Sequence, residues 1–483
     1  MIETDTEGRG EAGGPKTMQR ISDLKRRRGA IALCSLLAAS CASSSSSPTG
    51  DSGSPSGPPL IESFTSAASA VHVGESTQLT AVFSGEGASI DGIGPVESGV
   101  PVATPALARA TTFTLTVRGG SQQVEARLSI AATYRDRFRQ LAPSPVAYTQ
   151  HVAMALPDGG ALVMGGNTSE SPNTPDTDGS DRFDPITETV SPGPRLAFTA
   201  EADLTTPVAL DGGGFLLVGP GINSALHLDS GLRATQAFDA TTGTFHRVGD
   251  LAFRHDAGGT ATALGDGSAI VAGGNVPAIT AVERYDPASE QWSAAGNMAT
   301  ARRGHTATRL ADGRVLIAGG VTCCDVAGEV LTGTAELYDP RNDVFHPTGS
   351  LATPRALHTA TLLADGRVLV TGGFVAVDGS TTASAEVYDP STGRFSPAGA
   401  MQVGRVVHSA ILLTDGRVLV VGGLHASAAT DIFDPTADLW QPGPILEPAW
   451  GASTVTLLRN GRVLVFGGEA ASGFPVSTVM LYE

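Results

Sequence analysis

His305-Thr306-Ala307-Thr308-Arg309-Leu310-Ala311-Asp312-Gly313-Arg314-Val315-Leu316-Ile317-Ala318-Gly319-Gly320 decides the fold, because its frame returns along the chain. Glu336, Tyr338-Asp339-Pro340 and Phe345 follow it. The next copy carries His358, Asp365-Gly366-Arg367, Gly372-Gly373, Glu386, Tyr388-Asp389-Pro390 and Phe395. Another carries His408, Asp415-Gly416-Arg417, Gly422-Gly423, Phe433-Asp434-Pro435 and Trp440. Weaker copies keep Gly165-Gly166, Gly219-Pro220-Gly221, Gly273-Gly274 and Gly467-Gly468. The second glycines, Gly166, Gly221, Gly274, Gly320, Gly373, Gly423 and Gly468, recur about every 50 residues.

Each motif has a local cause. Asp-Gly between apolar runs supplies the positive φ of a tight hairpin between the innermost strand and the second. Gly-Gly ends the second strand where neighbouring sheets crowd and a side chain would collide. Val368-Leu369-Val370 is continuously apolar, as a strand buried on both faces requires. Asp389-Pro390-Ser391-Thr392-Gly393 reads as the turn into an outer strand.

This combination of period, diglycine, aromatic before Asp-Pro and later Phe or Trp resembles the kelch repeat, a four-stranded propeller blade. The resemblance implies an all-β fold, with a seven-bladed kelch β-propeller over residues 133–483. The last copy stops at Tyr482-Glu483, after its third strand, so Arg137-Phe138-Arg139-Gln140-Leu141 is expected to supply the missing outer strand and close the ring.

Composition agrees with turns and strands: of 483 residues, 60 are glycine and 30 proline, while charged residues reach only 16%. The sole lysines, Lys16 and Lys25, lie in the first 40 residues. Beyond residue 40, 24 arginines face 43 acids, a net of −19 that would repel a polyanion, so nucleic acid is not expected as a partner.

Residues 1–40 read as an export leader. Lys25-Arg26-Arg27-Arg28 is followed by an apolar run, Gly29 to Ala39, too short to span a bilayer. A start at Met18 would give this leader a conventional length. Leu37-Ala38-Ala39-Ser40-Cys41 resembles the bacterial lipoprotein signal, which implies acylation of Cys41 and, with Ala42 after it, the outer membrane. Ordinary cleavage near Ala39, releasing a soluble protein, is the alternative. Residues 41–59, rich in Ser, Gly and Pro, are expected to form a tether. Over residues 60–132 the strands alternate with period two, Val71 to Phe83 around Gly74, then Thr111 to Val117 and Val124 to Ile130. This stretch resembles bacterial immunoglobulin-like modules, without their antibody relatives' cysteine pair and tryptophan, and is expected to be a β-sandwich spacer.

Arg302, Arg355 and Arg405 each precede a histidine by three residues, and Glu336 and Glu386 recur before the third-strand aromatic. A set repeated in several blades reads as framework rather than as a catalytic centre. Recognition is expected in the irregular segments after the diglycines, Asn167 to Ser180, Val321 to Thr334 and Phe374 to Ala383, gathered at one mouth of the propeller. The candidate binding residues there are Asn167, Asp176, Asp178, Asp181, Cys323, Cys324, Asp325 and Asp378. Asp176-Thr177-Asp178-Gly179-Ser180-Asp181 spaces carboxylates as a calcium site would, but lacks the closing Glu of an EF-hand, and a solvated acidic loop is the favoured reading. Cys323-Cys324 allows a vicinal disulfide, a soft-metal contact or two free thiols. No cofactor is expected.

Function is therefore expected to be non-catalytic binding of a protein or glycan by an envelope lipoprotein, membrane contact being through its N-terminal lipid alone. The kelch resemblance carries two enzymatic alternatives. Galactose-oxidase-like copper enzymes use two His, two Tyr and a Cys; here Tyr285, Tyr338, Tyr388 and Tyr482 fall in third strands, and no loop tyrosine accompanies Cys323 or Cys324. Kelch-type sialic-acid mutarotases offer no residues that match.

Overall fold

A computed structural model describes residues 58–483 apart from 150, 167–177, 198–203, 221–232, 256–257, 276, 326–327, 425–427, 449, 452 and 471–473. All of them belong to one unit, Ser54–Glu483. The described residues are β-strands and turns, with one short 3-10 segment.

Among the described residues the repeat, with Phe138–Gln140 added to its last copy, builds seven four-stranded antiparallel sheets. The fourth runs Thr306–Arg309, Val315–Ala318, Ala335–Asp339 and Val344–Pro347. Gly313, at φ 88°, makes the hairpin turn between its first two strands. Tyr338 stands opposite Phe345, their rings 5.0 Å apart, and Tyr388 with Phe395 and Phe433 with Trp440 repeat the pair at 4.8 and 5.0 Å. The Phe or Trp after each Asp-Pro turn thus holds the outer strand by a cross-strand aromatic contact.

Because strand side chains alternate, second strands bury both faces. Val315 and Ile317 pack on Ile270 and Ala272 of the third sheet, while Leu316 and Ala318 pack on Val368 and Val370 of the fifth. The same packing continues from sheet to sheet, and Leu464 and Phe466 of the seventh meet Ala161 and Val163 of the first. The first strands likewise adjoin in succession, with Thr454–Leu457 returning to Val152–Ala155. The fourth strand of the seventh sheet is Phe138–Gln140, paired antiparallel with Val479–Tyr482.

Residues 60–133 form two further sheets. Leu60–Ser66, Gln78–Ser84 and Val102–Ala103 make one, and Ala70–His72, Gln122–Thr133, Thr111–Gly119, Gly87–Ile90 and Gly94–Val96 the other. The strands flanking Gly74 join different sheets, with Ala70–His72 pairing parallel to the end of Gln122–Thr133. Leu79, Phe113, Leu115, Val117 and Ile130 form their core.

This module docks on the end of the large ring that carries the Asp-Gly hairpins. The Tyr134 hydroxyl donates to Gly461 O at 2.6 Å, Thr414 Oγ1 donates to Ala108 O, and Arg417 pairs with Asp136 at 2.8 Å. The second-to-third strand segments and the inter-sheet connections emerge at the opposite end, hereafter the loop end.

Candidate functional site

A repeated polar set sits at the loop end inside the sheets. The Arg302 guanidinium, fully buried, donates to Gly319 O at 2.8 Å, Thr334 O at 3.0 Å and Glu336 Oε1 at 2.8 Å. Glu336 also accepts the amides of Ala299 and Thr300. Arg355 serves Gly372 O, Ser384 O and Glu386 in the same way, and Arg405 serves Gly422 O and Asp431. Diglycine carbonyls leave the ladder and need donors, and the acid balances the buried cation. In the third sheet His255 takes the arginine's place, with Nδ1 2.7 Å from Gly273 O and Nε2 3.0 Å from Glu283.

The diglycines are sterically required here. A Cβ on Gly319, at φ 67°, would lie 2.6 Å from Arg355 O and 2.7 Å from the His358 ring. On Gly320, at φ 100°, it would lie 2.7 Å from Arg303 O. Gly166, Gly274, Gly373, Gly423 and Gly468 share the positive φ.

A second set bridges neighbouring sheets. His305, His358, His408 and His151 precede first strands, and each Nε2 meets a threonine Oγ1 of the preceding sheet: Thr260 at 2.9 Å, Thr306 at 3.0 Å, Thr359 at 3.0 Å and Thr454 at 2.9 Å. The rings are buried and their Nδ1 atoms have no partner among the described residues. A second proton would therefore sit in an apolar seam without an acceptor. Burial pushes His151 down to about 4, and burial with the neighbouring Arg355 and Arg405 charges pushes His358 and His408 down to about 3.

These imidazoles fold neutral, whereas in the unfolded chain they take up a proton near pH 6.5. Their contribution is complete above about pH 6.5 and is lost as pH falls toward 4 and 3. Between pH 6.5 and 4.5, His358→Gln is expected to lose about 2 kcal/mol less stability than the parent chain, as one pKa unit is worth about 1.4 kcal/mol. Urea midpoints at the two pH values check this, and equal losses in both proteins would refute it.

The predicted site residues disperse. Cys41, Asn167, Asp176 and Gly221 lie outside the described residues. Asp178 is paired with Arg195 at 2.7 Å. Asp181 corrects the loop reading: it is a buried third-strand residue opposite Val163, two places before Phe183, and accepts from Ser144 Oγ at 2.9 Å. Register put it at the position of Glu336, and burial raises its pKa. Asp178 and Asp181 thus serve separate partners. Cys323, Cys324 and Asp325 lie in Val321–Asp325, paired with Gly328–Leu331, so a β-ribbon stands where an irregular loop was expected. Asp378 is exposed and accepts from Ser380 N at 2.9 Å.

The loop end between the fourth and fifth sheets offers a cleft of ≈ 250 Å³. Val321, Leu331, Leu357, Phe374, Ala376 and Val377 line it, and Asp378 stands between lining residues Val377 and Gly379. Backbone bonds stitch the connections beside it, Gly304 N to Gly258 O and Leu357 N to Gly304 O, both 2.8 Å. Gly304, Leu357 and Val407 occupy equivalent places at φ 60°, 52° and 52°. Leucine and valine there are backbone outliers. Val321 to Thr334 and Phe374 to Ala383 are both segments in which recognition is expected, but the residues expected to carry it there, Cys323, Cys324, Asp325 and Asp378, are not the apolar ones that shape the cleft. Val377, 75% exposed, breaks the polar character of a surface loop and was the available signal.

Residues 355–402 match the Kelch motif family model. No curated protein matches the chain. Among solved structures, it is similar to a novel fungal alcohol oxidase of the AA5 family in complex with copper, at 15% identity over 72% of this chain and 76% of that one, TM-score 0.59. It also matches YjhT, at 14% identity over 58% of this chain and 94% of that one, TM-score 0.46. Repeat and architecture together are those of a β-propeller that carries a Kelch motif at residues 355–402; at such identities the likeness to solved structures concerns the fold alone. Tyr285, Tyr338, Tyr388 and Tyr482 are packed within sheets, and Tyr134 and Tyr148 are also buried.

Proposed function

We propose that this chain is an exported lipoprotein whose seven-bladed kelch propeller binds a protein or glycan partner at its loop end without catalysis. Residues 1–40 are the leader, Cys41 the acylated residue of an outer-membrane anchor, 41–59 the tether and 60–132 an immunoglobulin-like spacer. Seven four-stranded sheets packed in a circuit support the blade number. Two sheets sharing one core support the spacer.

The observation that carries the binding reading is the apolar cleft at the end away from the module, where segments of variable length converge. Docking of the module at the hairpin end leaves that cleft pointing away from the tethered side. The recurring arginine, histidine and acid side chains are spent on backbone groups and on each other, which favours a framework role. The full chain is expected to bind members of a glycan array or an envelope-protein array, and to lose that binding when residues 375–380 are replaced by a Gly-Ser run. Stoichiometric copper with alcohol-oxidising turnover would overturn this reading.

A further inference from the structure

The cleft's size separates the two partner classes. At ≈ 250 Å³ it falls below the roughly 300–1,000 Å³ of small-molecule sites, yet exceeds the ~150 Å³ cavity that accommodates benzene. One aromatic ring or branched aliphatic side chain fits, and an oligosaccharide does not. Its walls suit such an occupant, since Val321, Leu331, Leu357, Phe374, Ala376 and Val377 offer mostly carbon surface, with Arg303 the one charged side chain in the lining, whereas sugar hydroxyls need several side-chain donors and acceptors.

A further observation marks the place. Exposed large apolar side chains also gather at this end, among them Val330 at 60%, Val377 at 75% and Phe474 at 45%. At the rim, Asp378 has no basic partner among the described residues, and its carboxylate is held low by the Ser380 hydroxyl and amide. It therefore stays ionised, within a chain that carries a net −19 beyond its first 40 residues. That field favours a cationic partner.

We propose that the cleft takes a single aromatic or large aliphatic anchor side chain from a protein partner, with a basic residue of that partner set against Asp378. This rests on the reading of the loop end as a binding surface and selects protein over glycan. Deeply seated anchors of this type dominate protein interfaces, while a rim charge contributes less.

Phage-displayed random peptides selected on the full chain test the proposal. Selected sequences are expected to combine a Trp, Phe, Tyr, Leu or Ile with a nearby Arg or Lys. A synthetic peptide of that sequence is expected to bind at least about tenfold more weakly to Ala376→Trp, which fills the cleft, and about threefold more weakly to Asp378→Asn. Thermal unfolding checks both variants, and Val377→Asp replaces Ala376→Trp if the latter fails to fold. Peptides without an apolar anchor, or with affinity unchanged by the filled cleft, overturn the proposal. A glycan bound by the parent chain and lost on Ala376→Trp overturns the anchor while leaving the loop end a binding surface. A peptide library and a glycan array that both yield nothing overturn the two readings together.

Discussion

Deleting Arg137 to Leu141 is expected to lower the thermal midpoint by about 10 °C, an effect out of proportion to five surface residues. Phe138–Gln140 is the fourth strand of the seventh sheet, and without it Val479–Tyr482 becomes an open edge. Lost with it are the amide bonds Glu483 N to Arg137 O at 3.1 Å and Leu141 N to Val479 O at 2.9 Å. The Phe138 ring leaves Tyr482, 5.4 Å away, and Glu483 loses the Arg137 guanidinium at 2.6 Å. Arg139 also ties this strand to Glu188 of the first sheet at 2.7 Å, so the seam between seventh and first sheets loses a clasp from both sides. At about 1 kcal/mol for each hydrogen bond and more for the ring, the sum reaches several kcal/mol. Hydrogen exchange localises the damage: the amides of Val479–Tyr482 are expected to lose protection before those of the fourth sheet. An unchanged midpoint together with unchanged protection there would show that the strand is dispensable.

The second large effect is expected at Arg355. Replacing this fully buried arginine by methionine retains much of its volume but removes its bonds to Gly372 O, Ser384 O and Glu386. Glu386, 5% exposed, would remain as a buried charge without its cation. Breaking such a pair costs about 3–5 kcal/mol. Glu386→Gln is expected to be milder, about 2–3 kcal/mol, because Arg355 keeps its bonds to Gly372 O and Ser384 O, although the single amide oxygen accepts from only one of Ala352 N and Thr353 N, which the carboxylate serves through separate oxygens. Methionine at both positions would leave those two amides and two carbonyls without partners, so the double variant is not expected to recover the parent's stability. Chemical denaturation of the three variants measures the order. Arg355→Met no less stable than Glu386→Gln would mean that the pair does not organise the fold.

Much of the architecture was legible because each repeated motif answers a local demand. Gly319-Gly320 states where a Cβ cannot fit, Asp312-Gly313 where the chain must turn, and Tyr338 with Phe345 which strands must touch. The candidate site was less legible. Acidic and cysteine residues drew attention in segments whose relevant feature was apolar, and Asp181 was assigned to a loop because its acidic neighbours masked its place two residues before Phe183. His255 likewise carries no motif that announces it as a substitute for arginine; only its contacts with Gly273 O and Glu283 do so.

Sequence alone determined the β-propeller class, the repeat length and the positions that must be glycine, since these depend on neighbours within one supersecondary unit. Only the tertiary structure decided that Leu357 and Phe374, from different connections, wall one cleft, and that the N-terminal module rests on the opposite end through Tyr134 and Thr414. The physical reason is range: hairpins and packed strands are dictated by residues close in the chain, whereas a cleft or a docking face exists only where distant segments meet.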